Sequence, residues 1–183
     1  MARLALGLTA ALLLAGCGGD DEAPVKATTA TAQQSALRTH MLVEGDIDGI
    51  DPVEPVRVTN PEDWITDSGH VNADQVRASG FVEGMRQPIT AGAGMNLAAR
   101  FKTAAQAQAE SEFELPPVPD IKIQRFEVPG VPGAIGRTAT GHETGYSVTF
   151  ATDDVWHLIA SKKSGASRAD VIAATQRLYQ RLK

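Results

Sequence analysis

The chain has 183 residues and a net charge of −5, from 17 Lys and Arg against 22 Asp and Glu. That acidic balance argues against nucleic acid as a partner, which wants basic patches, and against electrostatic docking on anionic lipid. One cysteine allows no disulfide within the chain, so any folded body must be held by its core.

In chain order the first feature is a basic start at Arg3 followed by an apolar run, Leu4 to Ala15. As a helix this run would be roughly 18 Å long, against the roughly 30 Å of a bilayer core, so it reads as an export signal and not a span. Its end, Leu14-Ala15-Gly16-Cys17, resembles the lipobox of bacterial lipoprotein precursors: an apolar residue, a small one, Gly or Ala, then Cys. The resemblance covers residues 1–17. It implies cleavage between Gly16 and Cys17, a diacylglyceryl thioether on Cys17, and a body held at the outer, extracytoplasmic face of the cell membrane. Two or more acyl chains anchor stably where one binds marginally. The alternative is a secretory signal with an incidental cysteine.

Residues 17–35 comprise the lipidated Cys17 and a tether. "GGDDEAPVKATTATAQQ" is small, polar and without periodicity, and has too little apolar surface to order itself. Its root-mean-square span is roughly 25 Å. Residues 36–183 then form one globular domain, long enough for a real core.

Within that domain Leu42-Val43 and the segment 53–60 suggest short strands, and Asn60-Pro61-Glu62 a turn into a short helix with Trp64 and Ile65. Asn72 and Gln75 form a capping box, with Val71 and Val76 as a hydrophobic staple. The spacing of Ala78, Phe81, Val82 and Met85 continues that helix up to Pro88. "MNLAARFK" at 95–102 alternates as a half-buried strand, with Met95, Leu97, Ala99 and Phe101 inward. Thr103 and Gln106 open a helix through Phe113, stopped by "LPPVP". Strands follow at 121–128, 134–141, 145–152 and 155–161, joined by "PGVPG" and by Asp153-Asp154 as sequential antiparallel hairpins. Ser167 caps a last helix with Val171, Thr175, Leu178 and Leu182 inward. The order predicts an α+β fold of two layers, with the helices packed on one face of an antiparallel sheet. The stretches "SGFVEGM", "LAARFKTAAQAQAE" and "VPGVPGAIG" resemble small lipoproteins of actinobacteria, over about the last two-thirds of the chain. That resemblance carries over no catalytic residue.

Glu44, Asp46, Asp48 and Asp51 suggest a calcium loop, but Gly49 comes two residues early and Arg57 stands where the twelfth-position Glu belongs, so a solvated acidic turn is expected. "GHETGY" at 141–146 lacks the second histidine of a zincin motif. His40, His70, His142 and His157 show no ligand spacing, and "AGAGMN" lacks the third glycine of a dinucleotide loop. No G-x-S-x-G elbow surrounds a serine. The pattern therefore predicts no enzyme, no cofactor and no metal. It predicts a membrane-anchored protein binding a small ligand, an envelope component or a protein partner. The alternative is a carrier of lipid or another apolar molecule, with a cavity between sheet and helices. Tyr146, Phe150 and Trp156 are the residues that would line a ligand pocket.

Overall fold

The computed structural model describes residues 35–90, 94–114 and 119–183. A 3-10 turn, Ala36–His40, precedes strand β1 (Val56–Val58), helix α1 (Pro61–Ser68) and helix α2 (Ala73–Ala78). Strands β2 (Phe81–Ile89) and β3 (Gly94–Phe101), helix α3 (Ala104–Glu112) and strand β4 (Lys122–Phe126) follow. Strands β5 (Ile135–Thr140), β6 (Thr144–Thr152) and β7 (Val155–Lys162) lead to helix α4 (Arg168–Leu182). The seven strands form one antiparallel sheet in the order β1-β2-β3-β7-β6-β5-β4. The domain is therefore α+β, as expected.

Local chemistry sets the helix starts. Asn60, Asn72 and Thr103 each accept a bond from an early backbone N–H of α1, α2 and α3. Ser167 and Asp170 bond reciprocally at the start of α4, a full capping box. The long helix expected after Asn72 is a different object. α2 has six residues; Gly80 at φ 90° turns the chain, and Phe81–Ile89 is a strand. Phe81 and Met85, four residues apart, suit a helical stripe or one strand face by spacing alone; the irregularity after Phe81 puts them on opposite faces, Phe81 against Trp64 and Met85 under Leu37 and Met41. Val82, which the helical spacing puts on that stripe, is exposed at a register irregularity between Phe81 and Glu83. Pro88 stays within the strand because β1 pairs only with residues 84–86, and its carbonyl accepts from Val53 N–H at 3.0 Å. Nor do Leu42 and Val43 begin a strand. The amide of Gln87 accepts from Leu42 N–H and donates to Leu42 C=O, both at 3.0 Å, and so serves as a strand neighbour would.

The helices do not share one face, which corrects the two-layer expectation. Leu97, Ala99, Phe101 and Trp156 pack with Trp64 of α1, Val76 of α2 and Ala107 of α3. Val148, Phe150 and Ile159, of opposite strand parity, pack with Val171, Ala174 and Leu178 of α4. Leu37 and Met41 cover Met85, Ala98 and Val155 on that same second face. The sheet is thus the middle of three layers, and β3 is not half-buried: Asn96 and Ala98 are as inaccessible as Leu97 and Ala99. Among the described residues no helix is long and apolar enough to cross a membrane.

Gly84 lies under the Trp64 ring, where an added Cβ would stand 2.4 Å from ring carbon. Gly84→Ala is expected to destabilise the fold by about 1–3 kcal/mol through overpacking. Thermal unfolding checks this, and an unchanged midpoint would show that the indole is not seated on that strand.

Candidate functional site

Cys17 and its lipobox, Leu14 to Gly16, lie outside the described residues. The three residues expected to line a pocket do not meet. Phe150 is fully buried against α4, where Tyr179 meets its ring edge-on. Trp156 is buried on the opposite face beside Trp64. Tyr146 is half-buried and packs at the margin of the α4 core. Phe150 and Trp156 are packing residues of two separate cores.

The acidic segment is partly a structural clamp. Asp46 is buried, its carboxylate accepting from Arg181 at 2.5 Å and from Val43 N–H at 2.8 Å. Arg181 also donates to Met41 C=O, and Arg177 to the carbonyls of Gly45 and Asp46. The expectation of a wholly solvated turn fails at Asp46, because two arginines of α4 reach it from 131 and 135 residues away. Glu44, Asp48 and Asp51 are exposed, with Asp48 3.5 Å from Arg177. An open groove of about 680 Å³ separates this turn from α4, lined by Val43, Asp46, Gln176, Arg177 and Arg181 among others.

The histidines fall into three environments. His142 is exposed in the turn between β5 and β6. His70 is half-buried against the buried Glu110, Nε2 lying 3.0 and 3.1 Å from the two carboxylate oxygens, beside Phe113. A hollow of about 420 Å³ lined by His70, Val71 and Phe113 opens next to it. His40 and His157, 117 residues apart, come together. His157 is wholly inaccessible and sits in a stack of three rings: Phe150 at 4.4 Å and 8° on one contact, His40 at 5.2 Å and 20° on another. His157 Nε2 lies 2.9 Å from Thr152 Oγ1 and 3.4 Å from His40 Nδ1, while its Nδ1 has no hydrogen-bond partner among the described residues. Burial, and then His40, hold the His157 imidazole well below its ordinary value. Burial and then Arg100 lower His40, opposed by Asp154 and Asp153.

Around this stack the sheet face under residues 35–47 is polar. Gln87 and Asn96 pair cross-strand at 3.1 Å, and Asn96 Oδ1 is buried without a partner among the described residues. Glu83 accepts from Arg57 at 2.8 Å and from Arg100 and Ser35 at 3.4 Å. No spacing in the chain announces this set, since its members come from β2, β3, β6, β7 and the first turn. One signal was present: "VWHLIAS" is a nearly continuous apolar run, which marks a strand buried on both faces and so places its histidine in a core. Among the described residues no group of three His, Cys, Asp or Glu is placed to hold a metal ion.

At the sheet's far edge β4 presents Lys122 to Arg125 on the surface, with Ile121 and Ile123 each more than two-fifths exposed and Phe126 turned onto the α4 core. Its inner side pairs with β5; among the described strands none pairs with its outer side. The other edge, β1, is only three residues long, with Pro52 and Pro55 just before it.

No family model and no curated protein matches the chain. Among solved structures, the extracellular domain of PknH from Mycobacterium tuberculosis is similar, with a TM-score of 0.47 and 11% identity. The likeness covers 73% of this chain and 84% of that one. A likeness of that size assigns neither family nor activity.

Asp46→Ala is expected to cost about 2 kcal/mol, less than a fully buried pair because Arg181 keeps a third of its side chain in solvent. Urea unfolding measures it, and a loss under about 0.5 kcal/mol, the usual size of a surface change, would show that Asp46 does not clamp the turn to α4.

Proposed function

We propose that this chain is an extracytoplasmic lipoprotein, tethered by lipid on Cys17, whose folded body is non-catalytic and binds an extended segment of an envelope protein along β4. The anchor rests on Leu14-Ala15-Gly16-Cys17 after a short apolar run. The binding mode rests on one observation, the outer side of β4, which no other described strand pairs, with the exposed Ile121 and Ile123 along it. A free strand edge offers a row of backbone donors and acceptors, and adding a partner strand is how many sheets recognise extended peptides. Neighbouring exposed isoleucines supply side-chain selectivity on one face.

The packing favours surface recognition over carriage of an apolar molecule. Trp64 and Phe101 on one face, and Phe150 and Leu178 on the other, are almost wholly inaccessible and join continuous clusters between sheet and helices. A carrier needs room between those layers.

Cys17→Ala is expected to move the protein from the membrane to the soluble fraction, with the acyl mass absent from its N-terminus. A Cys17→Ala protein that stays on the membrane at the parent level refutes the anchor. A photo-crosslinking residue at Ile123 is expected to capture an envelope polypeptide, and one at exposed Val43 to capture none. Ile123→Lys should abolish the effect of the edge while changing stability by no more than about 0.5 kcal/mol. Equal labelling from the two positions, or none from Ile123, overturns the β4 site.

A further inference from the structure

We propose that residues 35–47 are a clasp that leaves the sheet on mild acidification, with the stacked His40 and His157 as its proton-sensitive lock. The inference stands on how this segment is held and depends on neither the anchor nor the β4 partner.

The clasp covers the second face of the sheet through Leu37, Met41 and Leu42, which are buried, and through the two bonds of Leu42 to Gln87. Ala98, cross-strand from His157, is small and leaves room for Leu37 and Met41. His40 is the clasp residue that reaches His157. The groups facing the pair are few. From β6 come Phe150 and Thr152, from β3 Ala98 and Arg100, and from the β6–β7 turn Asp153 and Asp154. Arg100 is itself engaged by Glu83 at 3.4 Å and Asp154 at 3.5 Å. α4 contributes Tyr179 against the far ring of the stack, Arg181 at the carbonyl of Met41 next to His40, and Arg177 at the other end of the clasp.

The buried His157 ring has no place for an added proton. A neutral imidazole carries one N–H and one lone pair, and His157 Nε2 is already shared between the Thr152 hydroxyl and His40. An imidazolium has an N–H on both nitrogens, and the one on Nδ1 would be buried with no acceptor among the described residues. A second proton on His40 would set two cations side by side, with ring nitrogens 3.4 Å apart. Lifting the clasp puts His40 in water and uncovers His157, so the open form takes protons that the closed form refuses.

The sign follows from that difference. Both imidazoles are held below their ordinary value in the closed form. The closed form therefore binds fewer protons, and its advantage is complete above about pH 6.5 and shrinks as pH falls below it. Each histidine favours opening by up to about tenfold per pH unit in that range.

Hydrogen exchange of the full chain, corrected for the intrinsic pH dependence of exchange, reads the opening of 35–47 directly. From about pH 7.5 to about pH 5.5 its opening constant is expected to rise on the order of tenfold or more, while β3, β7 and α4 keep their protection. His40→Phe keeps a ring in the stack without a proton acceptor, and should cut the response by on the order of tenfold. His157→Gln should cut it likewise; His40→Phe carries the test if that buried variant does not fold. Equal protection of 35–47 at both pH values overturns the proposal. So does an undiminished response in His40→Phe, or loss of protection in the sheet and α4 in step with the clasp.

Discussion

β3 and β7 pair over residues 94–100 and 155–161, and among the described strands no other ladder joins the N-terminal hairpin to the C-terminal meander. Every other pairing is between neighbours in the chain. This one closes a long loop, which costs chain entropy that must be recovered by burial. The recovery comes from both sides at once. Gly84 and Ala99, paired in register, are the small floor beneath Trp64 on one face, with Trp156 of β7 beside Ala99. Ala98 is the floor beneath Leu37 and Met41 on the other. Small residues at the sheet's centre let large ones from both outer layers approach it, which is the interdigitation that dense packing demands.

The two faces are not equivalent. The α1–α3 face carries a chain of four aromatic rings, Trp156 against Trp64, Trp64 against Phe81 and Phe81 against Phe101, and its buried polar groups, Glu110, Ser111 and Thr149, gather at α3. The opposite face carries a polar strip, Glu83, Gln87, Asn96 and His157, where the short first segment and not a helix covers the sheet. Buried polar groups are costly unless bonded. Here most are bonded to each other or to the covering segment, so removing the cover costs both apolar burial and hydrogen bonds. The segment is a thin cover whose hold depends on the state of the groups beneath it.

Placement along the chain links these features. The proposed anchor motif ends at Cys17, the covering segment begins at Ser35, and the clamp at Asp46 ties that segment to the last helix. N- and C-terminal parts of the domain are thus fastened together through Arg177 and Arg181. The exposed edge at β4 belongs to the meander, at the opposite end of the strand order from β1.

Much of the domain was legible in the amino-acid order. Asn60, Asn72, Thr103 and Ser167 announced four helix starts because a cap is a bond within one turn. The strands of β5, β6 and β7 and their tight turns were legible for the same reason, since hairpins pair neighbours. Asp153-Asp154 marked its turn, and Asp153 adopts φ 49° there. What the sequence alone determined was this set of local elements and the α+β class. Tertiary structure decided the rest. It made Phe81–Ile89 a strand, because pairing with β3 outweighs a spacing that suits a helix equally well. It covered both faces of the sheet, and it brought His40 to His157 and Asp46 to Arg181 across more than a hundred residues. Contacts at that separation leave no periodic trace, because each partner's position is set by the folding of everything between them.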